Sequence, residues 1–308
     1  MVEQREGVTA PPPPPRPPRR TPRSVVWRRR VVALTVLVAG FVIAWVAVAS
    51  VGGSDKAEPP PPPTTVVVRP KPFRIVFPEG FTRKEMAARV TAVAQIARRE
   101  RGKRVRLKEQ AYLAATANPR LQQTFGTKAL PLEGFLFPAT YDFAARTTSP
   151  QLVASQLKAF RENWRKVNLA YARSKNLTPY DVLIIASMIE EETPAPEERQ
   201  LVSAVIYNRL HARMPLGIDA ALRYGLDIPG TESIHKSQLA NPTPYNLRLH
   251  SGLPPTPIGN PGLASIQAAA HPAKVNYLYF VAKPDKKHHF FTASASEFER
   301  YKAAHGYG

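Results

Sequence analysis

The chain has 308 residues, a net charge of +20 and no cysteine. The missing cysteine excludes a disulfide framework, a thiolate metal site and a cysteine nucleophile. The length leaves room for a main domain and a smaller one beyond a polar N-terminal tail.

Residues 1–30 hold eight Arg against two Glu and the run PPPPPRPPRR from Pro11 to Arg20. They lack the apolar content to bury a core, so the expectation is a disordered cytoplasmic tail, partly polyproline II. Residues 31–51, VVALTVLVAGFVIAWVAVASV, carry no charged side chain. At about 1.5 Å rise per residue such a helix crosses a hydrocarbon core roughly 30 Å thick, and a single transmembrane helix is predicted. A cleaved signal peptide is the alternative, but the run is too long and begins too late for one. Arg28, Arg29 and Arg30 at its N-terminal end put the N-terminus in the cytoplasm and the later residues outside, with membrane lipid as a partner. Residues 52–65 include Pro59 to Pro63 and read as a stiff linker. A net charge of +14 remains beyond the tail. An outward-facing basic domain suits an acidic cell-wall polymer or anionic headgroups, and its orientation argues against nucleic acid.

Beyond the linker the pattern is α+β. Short strands are predicted at Val66 to Arg69 and Phe73 to Phe77, then a helix capped by Thr82 and a second from about Leu107 to Ala117. Residues 66–128 form an accessory module or the N-terminal lobe of one larger domain; residues 129–308 form the main domain. LEGFLFPATYDF, from Leu132 to Phe143, is dense in aromatics that either stack on sugar rings or fill a core, with Glu133 the unusual member. A long helix is expected from about Pro150 to Lys175.

The run IASMIEEET, from Ile185 to Thr193, ends an apolar helix in Glu190, Glu191 and Glu192. Thr178 is its N-cap, Pro179 fits the first helical position and Asp181 sits three residues after the cap. Carboxylates at the far end face the negative pole of the helix and one another, which disfavours ionisation and pushes at least one pKa upward. That is what a general acid needs, although a solvated helix end remains the other reading. Leu201 to Leu210 follow as a core-facing helix. The Pro-spaced segment NPTPYNLRLHSGLPPTPIGNPG, from Asn241 to Gly262, reads as a rigid functional loop. A helix over Leu263 to Ala270, a hairpin of Tyr277 to Val281 with His289 to Thr292 across KPDKK, and a last helix from about Ser296 complete the chain. The seven histidines show no paired helical spacing with acids, and no Gly-x-Ser-x-Gly elbow is present.

IASMIEEET, YNRL at Tyr207 to Leu210, LEGFLFPATY, GLPPTPIGNPG after Tyr245-Asn246, AAAHPAKVNYLYFV from Ala268 to Val281, and His288-His289 together resemble the endolytic murein transglycosylases, the MltG or YceG-like family. The resemblance covers most residues from Phe73 onward. It implies a bacterial enzyme with a single-pass plasma-membrane anchor, a small LysM-like module over 66–128 and a mixed α/β YceG-like catalytic domain over 129–308 outside the cytoplasm. Its substrate would be peptidoglycan glycan strands and its other partners cell-wall synthesis or division proteins, with no cofactor and no metal. Glu190 matches the catalytic glutamate of the family motif; helical periodicity does not choose it, because the helix is apolar on nearly every face. Glu191 and Glu192 then face elsewhere.

The implied reaction uses one carboxyl. Glu190 protonates the glycosidic oxygen between N-acetylmuramic acid and N-acetylglucosamine, then takes the proton of the muramyl 6-hydroxyl as a 1,6-anhydro ring closes. The motif positions implied for substrate binding are Glu133, Tyr141, Glu192, Asn208, Asp219, Tyr224, Tyr245, Asn246 and His289. The chain departs from the family pattern at Ala220-Ala221 after Asp219, at Ala139, at Leu247-Arg248 and at Phe298 after Glu297. Two further readings stay open: a two-carboxyl hydrolase drawing on Glu133, Asp219 or Glu192, and a non-catalytic glycan-binding scaffold.

Overall fold

The computed structural model describes residues 71–117, 125 and 131–307. These residues fall in one compact unit, Arg69–Gly308. The expected tail, transmembrane helix, linker and first strand at Val66 to Arg69 lie outside the described residues.

β1, Phe73–Val76, pairs antiparallel with β2, Thr140–Phe143, with Phe73 opposite Phe143. Residues from both sides of the expected boundary at 128/129 thus share one sheet. Helix α1, Arg83–Arg101, begins at a capping box: Thr82 accepts from the Glu85 amide while the Glu85 carboxylate accepts from the Thr82 amide. It stops at Gly102, whose φ of 57° is the left-handed conformation that suits glycine. Helix α2 spans Glu109–Ala117. Its Tyr112 is fully buried and donates to Gln156 Oε1 at 2.7 Å.

The helix expected over Pro150 to Lys175 is two: α3, Ser149–Trp164, and α4, Ala170–Ser174. The amides of Lys166 and Val167 turn back onto the carbonyls of Asn163 and Trp164, which tightens and ends α3. Asn168 then accepts from the Ala170 amide at 2.9 Å, starting a new helix with a side chain that competes well against helix interiors.

Helix α5, Pro179–Glu192, starts as its sequence dictates, with Thr178 and Asp181 closing a capping box. Every residue from Val182 to Ile189 is buried, so α5 is the core's axis. A 3-10 turn at Pro196–Glu198 leads into α6, Arg199–His211, then α7, Asp219–Leu226, and the short α8, Lys236–Leu239. Helix α9, Leu263–Ala270, packs along α5. β3, Tyr279–Ala282, and β4, His289–Thr292, make the expected hairpin, and α10, Ala295–Ala304, ends the fold behind a Ser294 cap.

The architecture is a mixed α/β domain, which corrects the membrane-anchored α+β chain expected from sequence. Among the described residues no helix is long and apolar enough to cross a membrane. The apolar helix α5 has 14 residues, about 21 Å at 1.5 Å each, and α1 carries Arg, Lys and Glu at its ends.

The aromatic segment after Leu132 supplies core. Phe135 is fully buried, edge-on to Phe125 at 5.0 Å and to Phe160 at 5.2 Å. Phe135→Ala removes a ring from this close-packed cluster and is expected to cost about 3–5 kcal/mol, read as a fall in the denaturant midpoint of the full chain.

Candidate active site

The last turn of α5 holds Glu190, Glu191 and Glu192 and no basic residue. Compensation comes from elsewhere. The Glu190 side chain is 8 % exposed, and its Oε1 lies 3.6 Å from Nη2 of Arg199, the first residue of α6. Its Oε2 accepts the Gly262 amide at 2.8 Å, from the N-cap of α9. Arg199 is held in turn by its Nε donating to Ser265 Oγ at 3.1 Å. Leu183, Ala186 and Ser187, which share the Glu190 face of the helix, are fully buried. One amide, one guanidinium and a buried base thus fix this carboxyl in orientation.

Beside it opens a cleft of about 570 Å³ lined by Gly80, Arg83, Glu133, Glu191, Tyr224 and Tyr245, among others. Glu191, expected to face elsewhere, stands in this wall, with its surface open to solvent. Glu133 is 2 % exposed and accepts from the Arg83 amide at 2.9 Å, Asn260 Nδ2 at 2.8 Å and the Tyr224 hydroxyl at 3.0 Å. Burial pushes its carboxyl up to about 7 against those hydrogen bonds. Crowding by protein pushes Glu191 up to about 7 as well, with Glu85 and Glu190 adding repulsion. Glu192 reaches about 7 through burial and the charge of Asp219, while the Ala220 backbone pulls it down. Burial and Glu133 keep the Tyr224 hydroxyl protonated well above its ordinary range, so it serves as a donor.

A short exchange of backbone bonds builds the cleft floor. The Gly80 amide donates to the Asn260 carbonyl at 2.9 Å and the Asn260 amide to the Phe81 carbonyl at 3.1 Å. Asn260 Oδ1 also takes the Leu136 amide at 2.9 Å. Gly259 is required here, since a Cβ would overlap the Gly80 carbonyl. The Ile258 amide donates to Ser187 Oγ at 3.0 Å, tying the same loop to α5.

Of the sequence-predicted residues, Glu133, Tyr224 and Tyr245 meet on the cleft wall, with the two tyrosine rings 5.3 Å apart. Asp219 pairs with Arg248 through contacts of 2.7 and 2.9 Å at the start of α7. Others are engaged away from the cleft. Tyr141 donates to the Phe137 carbonyl at 2.7 Å. Asn208 Nδ2 ties the carbonyls of Val275 and Tyr277, beside a second hollow of about 540 Å³. Asn246 is fully buried and fixes its own loop through the carbonyls of Leu239 and Asn241. His289 is nearly buried, with Nδ1 at 2.7 Å from Glu198 Oε2. Sequence reading missed Arg199, Asn260 and Gly262 as parts of the site, and Glu79, whose carboxylate lies where a Cβ on Gly262 would be. GNPG was visible as a rigid loop, but its partners are 70 or more residues away.

Residues 64–304 match the model of the YceG-like family. The chain belongs to the YceG-like family. It is 34% identical over 172 residues to an endolytic murein transglycosylase of Bacillus subtilis, a match covering 56% of this chain and 47% of that protein. It is 35% identical over 180 residues to an endolytic murein transglycosylase of Streptococcus pneumoniae, covering 56% of this chain and 32% of that one. The chain thus spans a third to a half of the length of these curated relatives. The crystal structure of a yceG-like protein from Listeria monocytogenes superimposes with a TM-score of 0.63 at 28% identity, over 76% of this chain and 77% of that one.

The raised carboxyls give this YceG-like domain a testable pH signature. Each keeps a proton that the unfolded chain releases near 4.5, so its stabilising contribution is full below that value and is lost as pH rises through about 7. The melting temperature of the full chain is expected to fall between pH 5 and pH 8, and Glu192→Gln to flatten that fall.

Proposed function

We propose that this YceG-like chain is an endolytic peptidoglycan lytic transglycosylase whose domain works outside the cytoplasm. The observation that carries the reading is Glu190, a nearly buried carboxyl held by Gly262 and Arg199 beside an open, tyrosine-walled cleft. The relatives named endolytic murein transglycosylases support the substrate class.

In this reading Glu190 gives its proton to the glycosidic oxygen between N-acetylmuramic acid and N-acetylglucosamine, and the bond from that oxygen to the muramyl anomeric carbon breaks. The muramyl 6-hydroxyl oxygen then closes on that carbon, and its proton returns to Glu190. The enzyme ends as it began, and no water is consumed. Arg199 and the Gly262 amide stabilise the carboxylate between the two transfers. Tyr224 and Tyr245 offer ring faces and Glu191 an acceptor to sugar hydroxyls, while Glu133 holds the Tyr224 hydroxyl in place. Residues 129–308 supply Glu133, Glu190, Glu191 and the tyrosines, and residues 66–128 supply Gly80, Arg83 and Glu85 of the wall.

A second reading rests on Glu133 and Glu191 lining the same cleft: a hydrolase working with two carboxyls and a water. Mass spectrometry of peptidoglycan digested by the full chain separates the two. The expected products carry 1,6-anhydromuramyl ends, and Glu190→Gln lowers their yield about 100-fold or more. Reducing ends, or full activity in Glu190→Gln, would sink the first reading.

A further inference from the structure

The second hollow, of about 540 Å³, shares no lining residue with the cleft. Helix α4 gives it Tyr171, α6 gives it Tyr207 and Asn208, and the segment between α9 and β3 gives it Pro272 to Tyr277. That segment is pinned to α6 along its length. The Ala273 amide donates to the Gln200 carbonyl at 3.0 Å, Asn208 Nδ2 to the carbonyls of Val275 and Tyr277 at 3.0 and 2.9 Å, and Arg209 Nε to the Leu278 carbonyl at 2.6 Å. The Tyr207 hydroxyl donates to the Ala269 carbonyl at 2.8 Å. A hollow framed by hydrogen bonds keeps its shape before any ligand arrives.

Its chemistry is aromatic and cationic. Tyr171 is 37 % exposed, with its ring centroid 5.7 Å from that of Tyr207 and 5.6 Å from Lys175 Nζ. Tyr277 is braced by stacking on Phe291 at 5.9 Å. Lys274 and Asn276 are exposed, and none of the lining residues is acidic. Asp181, whose charge reaches Tyr207, is spent on the Thr178 amide and hydroxyl. Ring faces, a side-chain amide and a cation without an opposing carboxylate suit a sugar that carries both an acetamido group and an acid.

Helices α6 and α9 link the hollow to Glu190. Arg199 opens α6 and Gly262 caps α9, both on Glu190, while Asn208 and the Ala269 carbonyl lie at the hollow's end. At 1.5 Å per residue the stretches 199–208 and 262–269 are about 10–14 Å long. We propose that the hollow is a second, non-catalytic glycan site, in which Tyr171 and Tyr277 take a sugar face and Lys274 takes the carboxylate of the sugar acid. The inference rests on the function proposed above and deepens it. A strand held there presents its neighbouring sugars to the cleft as a tethered partner, which raises their effective concentration beside Glu190.

The test is calorimetric binding of peptide-free strands of alternating N-acetylglucosamine and N-acetylmuramic acid to the full chain carrying Glu190→Gln, which leaves the strand uncut. Adding Tyr171→Ala is expected to weaken binding about fivefold, and Tyr171→Phe, which keeps the ring, to restore it. Lys274→Gln is expected to weaken strand binding about threefold at low salt, and to leave unchanged the binding of a chitooligosaccharide, which has acetamido sugars but no carboxylate. Both side chains are exposed, so equal melting temperatures would show intact folds. Strand affinity unmoved by Tyr171→Ala and by Lys274→Gln overturns the second site. Free stem peptide that binds through Tyr171 in place of the strand overturns it too, because the ligand is then a peptide. A wild-type chain that releases no anhydromuramyl ends, while its strand binding still depends on Tyr171, overturns the transglycosylase chemistry and upholds the site.

Discussion

Asn260 trades backbone hydrogen bonds with Gly80 and Phe81 while its side chain reaches Glu133, Leu136 and Phe81, and this one residue joins three segments far apart in sequence. That junction ties the PEGFT segment over the end of α5. With it, Gly80 lies on Glu191, Arg83 offers its amide to Glu133, and Glu79 reaches Gly262. The buried amide of Asn260 uses both donor and acceptor ends, so the arrangement is specified rather than merely tolerated.

The electrostatics follow from the same crossing. Helix α5 aims its negative pole at three of its own carboxylates, an arrangement that costs stability unless cations or protons answer it. Arg199 answers for Glu190. Protonation answers for Glu191 and Glu192, whose carboxyls rise to about 7. Of the carboxyls so raised, Glu133 and Glu191 line the cleft beside Glu190.

Much of the fold was legible because its signals are local. Thr178-Pro179 with Asp181 marks the start of α5, Thr82 with Glu85 the start of α1, and KPDKK the hairpin turn. The break between α3 and α4 was not, since Val167-Asn168 sits inside a pattern of apolar residues that continues in helical register on either side. Nor could the sequence tell which glutamate enters the cleft. Val182 to Ile189 are buried all round, so periodicity carries no facing information for the residues that follow. Tyr141, Asn246 and His289 read as sugar contacts from motif position, yet each is occupied by a neighbour in its own region of the fold. The approach of Glu79 to Gly262 joins positions that no local rule connects.

The central claim is that one carboxyl, Glu190, moves a proton out and back while the sugar's own hydroxyl displaces the leaving group. Digestion of peptidoglycan by the full chain in water enriched in oxygen-18 tests it most directly. Intramolecular closure predicts new muramyl ends that carry no label, because every oxygen in the anhydro ring comes from the sugar. New ends bearing one oxygen-18 would mean that water attacked the anomeric carbon, and would contradict the account.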